Sequence, residues 1–171
     1  MIKLDAKEPH YLSQVNILDI QELIEIDEHC KDVFQFYYET GLRLCEPFNG
    51  TIKNGNWLII EKTKNRKGKR IQLAPHHIPV WNAMMERFNN SKAEYRTKTR
   101  YYSDEFKKAV RLIGRGELHF HNLRDTFAII RYIQTRDIYQ VSKELHHSSV
   151  SVTEKYANFY SMEELENDFP A

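Results

Sequence analysis

Leu145-His146-His147-Ser148-Ser149-Val150-Ser151-Val152-Thr153-Glu154-Lys155-Tyr156 puts imidazoles, hydroxyls and a phenol into twelve residues. Tyr156 stands nine residues beyond His147. Upstream lies His121-Asn122-Leu123-Arg124, and nearer the start Thr40-Gly41-Leu42-Arg43-Leu44-Cys45-Glu46. Each piece alone has an ordinary explanation. Tyrosine occurs 10 times in the chain, and a single one is more often packing than chemistry. A histidine at a helix start is more often a polar cap, and an arginine beside Glu46 a structural ion pair. Their co-occurrence in this order reverses those odds.

The set resembles the signature of the tyrosine recombinases, the phage-integrase family of DNA-rejoining enzymes. That family has an arginine in T-G-x-R-x-x-E, a histidine and arginine in H-x-L-R, a histidine in L-G-H-S-S, and a tyrosine nine residues further on. The resemblance covers residues from about Asp19 to about Phe159. It implies a mainly α fold with a small antiparallel β-sheet, that of the family's catalytic domain, and double-stranded DNA as partner. The implied site is Arg43 and Arg124 clamping the scissile phosphate, His121 and His147 hydrogen-bonding it, His121 also helping to manage the tyrosine proton, and Tyr156 as nucleophile. The family also uses a lysine on a β-hairpin to protonate the leaving oxygen. Lys64 matches it best, with Lys62 and Lys67 as close rivals. Two positions depart from the pattern. His146 stands where glycine is usual, which implies a less demanding backbone or strain and leaves open which imidazole faces the phosphate. Asp125 stands where many members have a second histidine, and reads as neutral.

The chemistry suits these residue types. A phenol attacking phosphorus conserves the bond energy of a DNA strand in a covalent ester. The transition state concentrates negative charge on the phosphate oxygens, so fixed cationic donors aimed at them supply most of the acceleration. Arginine donates two parallel hydrogen bonds and stays charged. His121 and Arg124 are three apart and share one helix face. With two guanidiniums present no metal or other cofactor is needed.

The chain has 171 residues, 29% charged and 41% hydrophobic, an ordinary globular composition for one domain. No apolar run is long enough to span a bilayer, and no signal-peptide pattern opens the chain. Two cysteines, Cys30 and Cys45, are too few for a disulfide framework, so a reducing cytoplasmic, nucleoid-associated setting is expected. Net charge is only +1, but the charge is segregated. Acid clusters before Arg43, while Lys62 to Arg70 is nearly all base. That permits one positive face, with Lys62, Arg66, Lys67 and Lys69 as candidate DNA contacts.

Coarse periodicity places a lead-in over residues 1–18 and the catalytic domain with its tail over 19–171. Asp19 caps a short helix with Ile20, Leu23 and Ile24 inward. A second helix runs from Lys31 to Thr40 and ends at Gly41. Trp57 to Ile60 and Arg70 to Leu73 read as strands around a basic loop. Pro75 and Pro79 bound a loop, and Val80 to Phe88 has helical spacing. Asn89 to Arg100 reads as polar and flexible, with a helix from Ser103 to Gly114. Further helices open at His121 and after Asp137. Ser151 with Glu154, and Ser161 with Glu164, form capping-box patterns.

Family members usually carry an N-terminal core-binding domain, absent from this chain, so a fragment of a longer, tetrameric protein is expected. The tail after Phe159 fits packing on its own domain or on a neighbour equally well. Three rivals remain: a zinc or metal-nuclease site built from His119, His121, His146, His147, Cys30 and Cys45, without any known ligand spacing; a DNA-binding module without chemistry; and a topoisomerase-like relaxing enzyme.

Overall fold

The computed structural model describes residues 8–62, 66–146 and 151–170, with the backbone alone at 151 and 152. Its helices are α1 (Gln14–Glu22), α2 (Glu28–Thr40), α3 (His77–Asn90), α4 (Tyr95–Leu112), α5 (Asn122–Thr135), α6 (Ile138–Glu144), α7 (Ser151–Phe159) and α8 (Met162–Asp168). The strands are β1 (Gly50–Lys53), β2 (Trp57–Ile60) and β3 (Lys69–Gln72), preceded by a 3₁₀ turn over Glu46–Asn49.

Helix α2 is the centre. Asp27 caps it by accepting from the His29 N–H at 2.8 Å. Val33, Phe34, Phe36 and Tyr37 are buried, and the helix touches α3, α4 and α5. It ends at Gly41 with φ of 73°. A β-carbon there would lie 2.6 Å from Phe127 Cδ1, so both backbone angle and space require glycine. Gly41→Ala is therefore expected to cost about 1–3 kcal/mol of stability, read as a lower urea midpoint in equilibrium unfolding.

The sheet is antiparallel in the order β1-β2-β3. Asn54 and Gly55, with φ of 54° and 85°, make the tight turn between β1 and β2. Leu58 and Ile60 of β2 point into the core, following the period-two rule for a half-buried strand. Pairing of Ile60 with Lys69 fixes where β3 begins.

Two apolar clusters form the interior. The larger one joins α2, the sheet, α3 and α4; the smaller contains Tyr11, Ala128, Ile129, Val141, Leu145, Leu165 and Tyr156 itself. The tail packs on its own domain: Leu165 is buried, the Tyr11 hydroxyl donates to Asp168 at 2.5 Å, and Phe169 stacks on Tyr11. No helix among the described residues is long and apolar enough to cross a membrane.

Several expected elements shift. The first helix starts at Gln14 under a Ser13 capping box, not after Asp19, and Ile24 is 95% exposed rather than inward. Tyr11 and Leu12, within the expected lead-in, are buried, and the Leu12 N–H donates to Thr126 Oγ1 at 2.8 Å. Helix α2 begins at Glu28, three residues early, and β3 at Lys69, one residue early. Pro79 lies in the first turn of α3, where a missing N–H costs nothing. Helix α4 begins at Tyr95, inside the segment expected to be polar and flexible, because Thr99 and Tyr102 continue its buried stripe. The Ser161 cap is observed, its hydroxyl accepting from the Glu164 N–H. The Ser151 cap lies outside the described side chains.

Candidate active site

Arg43 sits in the turn after α2. Tyr37 braces this turn by donating its hydroxyl to the Leu44 carbonyl at 2.7 Å. Glu46 closes it, accepting the Arg43 backbone N–H at 2.7 Å while its other oxygen lies 3.8 Å from the Arg43 guanidinium. The Arg43 side chain keeps 24% of its surface exposed, so part of it is open to an anion from solvent.

Arg124 is buried on α5 and bridges two turns. It donates to the Gly41 carbonyl at 2.5 Å and the Leu145 carbonyl at 2.7 Å. Gly41 precedes Arg43 by two residues, and Leu145 ends α6. One guanidinium thus ties together the ends of α2 and α6, the places where two of the three motifs lie. Burial, then the nearby Arg43 charge, lowers its pKa to about 10, which leaves it charged at neutral pH.

His121 caps α5 at the rim of this group. Loss of water there, aided by Arg124, Arg43 and Lys155 and opposed by Asp125, lowers its pKa. His146 takes the left-handed backbone conformation, with φ of 55°. That is the geometry a glycine would supply, so the expected departure is met by strain of about 1 kcal/mol. Burial, with Lys69, Arg124 and Arg43, lowers the pKa of the His146 ring.

Tyr156 lies on α7, 2% exposed. Its hydroxyl donates to Asp125 Oδ1. Burial and the Asp125 charge push the phenol far above its ordinary pKa, with Arg124 opposing. Asp125 is itself buried, and its second oxygen accepts from Asn122 Nδ2 at 2.9 Å.

Lys69, read from sequence as a surface contact for DNA, turns inward. Its ammonium pairs with Glu46 at 2.7 Å and its side chain is 5% exposed. Burial, with help from Arg124 and Arg43, lowers its pKa to about 8 despite the Glu46 partner. Lys62, Arg66 and Lys67 are exposed on the hairpin. Lys64 and His147 lie outside the described residues. Arg43, Arg124, His121, Asp125 and Tyr156 are therefore gathered in one place, with Lys69 and His146 adjoining.

Reading the sequence alone missed two members of this group. Asp125 reads as a neutral departure in the sequence; its one local signal is that it stands three residues from Asn122, the spacing of helix neighbours. The inward turn of Lys69 follows from strand alternation only once the start of β3 is known.

The residues considered as zinc ligands do not converge among those described. Three ligand atoms do come together elsewhere, at Glu39, His76 and His77. There the Ala74 N–H donates to His77 Nδ1 at 3.1 Å, so Nε2 carries the ring proton and donates to Glu39 at 2.9 Å. A protonated nitrogen is no ligand. The trio acts as a clamp between α2 and α3, and hydrogen bonds from both rings and Gln35 outweigh burial to hold Glu39 at a pKa of about 2.

The family model of the phage integrase family matches residues 11–162. The chain belongs to the phage integrase family. Its fold is that of solved tyrosine recombinase catalytic domains, at low sequence identity. The XerH site-specific recombinase in its post-cleavage complex with palindromic difH is 20% identical with a TM-score of 0.67, over 96% of this chain and 54% of that one. XerA recombinase is 20% identical with a TM-score of 0.66, over 99% and 67%. The Tn1549 transposon integrase with circular intermediate DNA is 15% identical with a TM-score of 0.62, over 95% and 67%. The chain thus spans about half of the XerH chain and two thirds of the other two. No curated protein sequence matches it. The integrase family is one of site-specific tyrosine recombinases, and the chain is a member of that enzyme family.

Proposed function

We propose that this chain is the catalytic domain of a site-specific DNA recombinase or integrase that cleaves and rejoins strands through a 3′-phosphotyrosine. The observation that carries this reading is the convergence of Arg43, Arg124, His121 and Tyr156 from three separate elements, in a member of the phage integrase family. In the proposed reaction Tyr156 Oη attacks the phosphorus and the 5′ oxygen leaves. Arg43 and Arg124 neutralise the charge that builds on the non-bridging oxygens. His121 donates a further hydrogen bond, with His147 as the second imidazole. Lys64 or a neighbouring hairpin lysine protonates the leaving oxygen. Rejoining is the same path reversed, so no external energy source is required.

The guanidiniums supply fixed positive charge, so the reaction is proposed to need no metal. The partner is double-stranded DNA, met first by Lys62, Arg66 and Lys67, and the working assembly is a homo-tetramer in the cytoplasm, at the nucleoid. Tyr156 is buried, so its hydroxyl has to be uncovered before attack, with its hydrogen bond to Asp125 kept. Such gating is common where a nucleophile has to be held back until a substrate is in place.

Covalent capture tests this function. The intact protein is incubated with a pool of nicked duplexes of random sequence, in chelator. A denaturation-resistant complex with a subset of sequences is expected. Capture that appears only when divalent metal is restored would overturn the metal-free chemistry, and no capture under either condition would overturn the function.

A further inference from the structure

Asp125 carries a role that the motif pattern does not assign. It is the partner of the nucleophile's own proton: the Tyr156 hydroxyl donates to Oδ1. Its other oxygen is held by Asn122 Nδ2 at 2.9 Å, and Asn122 Oδ1 is anchored in turn by the His119 N–H at 2.8 Å. The order is nucleophile, carboxylate, orienting amide, the arrangement by which an activated hydroxyl is recognised.

Resting on the proposed function, we propose that Asp125 is the general base that takes the proton of Tyr156 during strand cleavage. As the bond from Tyr156 Oη to phosphorus forms, the Oη–H bond breaks and its proton passes to Asp125 Oδ1. The bond from phosphorus to the 5′ oxygen breaks, and that oxygen takes a proton from a hairpin lysine ammonium. On rejoining, Asp125 returns its proton to the phenol. A buried phenol beside a carboxylate does not ionise on its own at neutral pH, so its proton has to move as the phosphorus is attacked. The acceptor already in contact is Asp125. The charged groups facing the pair are Arg124 and His121 on its own stretch, Arg43 from the turn after α2, and Lys155 on α7.

The test uses single-turnover cleavage by the intact protein of nicked duplexes first selected by covalent capture with wild type. Asp125→Asn keeps the shape and an acceptor oxygen but cannot take a proton. Its cleavage is expected to fall about 100- to 10,000-fold, with DNA binding unchanged, and the residual rate to climb about tenfold per pH unit as hydroxide replaces the carboxylate. A substrate with sulfur at the 5′ bridging position leaves without a proton. It rescues a missing proton donor but not Asp125→Asn. Asp125→Asn cleaving within threefold of wild type, faster than wild type, or fully on the sulfur substrate overturns the proposal. If that variant does not fold, Asn122→Ala decides: a cleavage rate about tenfold lower at unchanged DNA affinity supports the role, and an unchanged rate overturns it. Failure of wild type to capture any duplex strikes the proposed function instead.

Discussion

Tyr156→Phe is expected to eliminate strand cleavage, a loss on the order of a million-fold if the phenol is the nucleophile. Phenylalanine fills the same space, so the second apolar cluster keeps its packing. The lost hydroxyl removes one hydrogen bond from the buried Asp125 carboxylate. That should cost about 1–3 kcal/mol, because a buried charged acceptor is left with fewer donors. The variant should bind DNA as wild type does, measured by gel shift at fixed salt. Normal binding with no covalent complex separates lost chemistry from lost folding. Cleavage by this variant within tenfold of wild type would assign the nucleophile elsewhere.

Arg124→Lys should produce the second largest loss. Lysine retains one positive charge but not the planar fork that bonds the Gly41 and Leu145 carbonyls together. The ends of α2 and α6 then lose their common tie. Cleavage should fall roughly 100- to 1,000-fold, the usual effect of removing one fixed donor from a developing anion. Stability should drop by about 1–3 kcal/mol as a buried carbonyl loses its partner. Urea denaturation and single-turnover cleavage on one preparation measure both. A variant that loses stability yet cleaves normally would make Arg124 a purely structural brace. Arg43→Lys is the useful contrast: its guanidinium is partly exposed and pairs loosely with Glu46, so it should cost activity with little stability.

The site was more legible than the fold around it. Arg43, His121, Arg124 and Tyr156, picked out by residue types at fixed spacings, lie near one another in the fold. Gly41 could be placed at a helix end because only a residue tolerant of positive φ stops a helix so tightly. The β-hairpin was visible in Trp57 to Ile60, where alternation and a turn signal agree. The start of α4 was hidden by its composition. Its first turns carry Arg96, Lys98 and Arg100, and burial there falls on Thr99 and Tyr102 instead of aliphatic residues. Cations also stack on rings in this region, Arg87 on Tyr101 at 3.6 Å and Lys98 on Phe88 at 3.8 Å. Such contacts give polar residues a reason to order that no hydropathy pattern records. The early start of helix α1 is hidden for a related reason: the segment before it is anchored by Leu12 bonded to Thr126, 114 residues away.

The charge pattern needs the same care. Lys69 belongs to a basic run, yet it faces Glu46 inside the protein while Lys62, Arg66 and Lys67 face outward. Of these four only Lys69 lies in a strand, where side chains alternate between faces and its neighbour Arg70 points outward, so the basic run is not one surface. Asp125 is less legible still. Its partner Tyr156 is 31 residues away, and no local spacing links a carboxylate on α5 to a phenol on α7.

The most direct measurement is to digest the covalent DNA complex and locate the modified residue by tandem mass spectrometry. A phosphodiester between Tyr156 Oη and the 3′ end of the cut strand is expected, with a free 5′-hydroxyl on the other side. A nucleotide carried on Tyr160 or any other side chain, or a link through a 5′ phosphate, would contradict it.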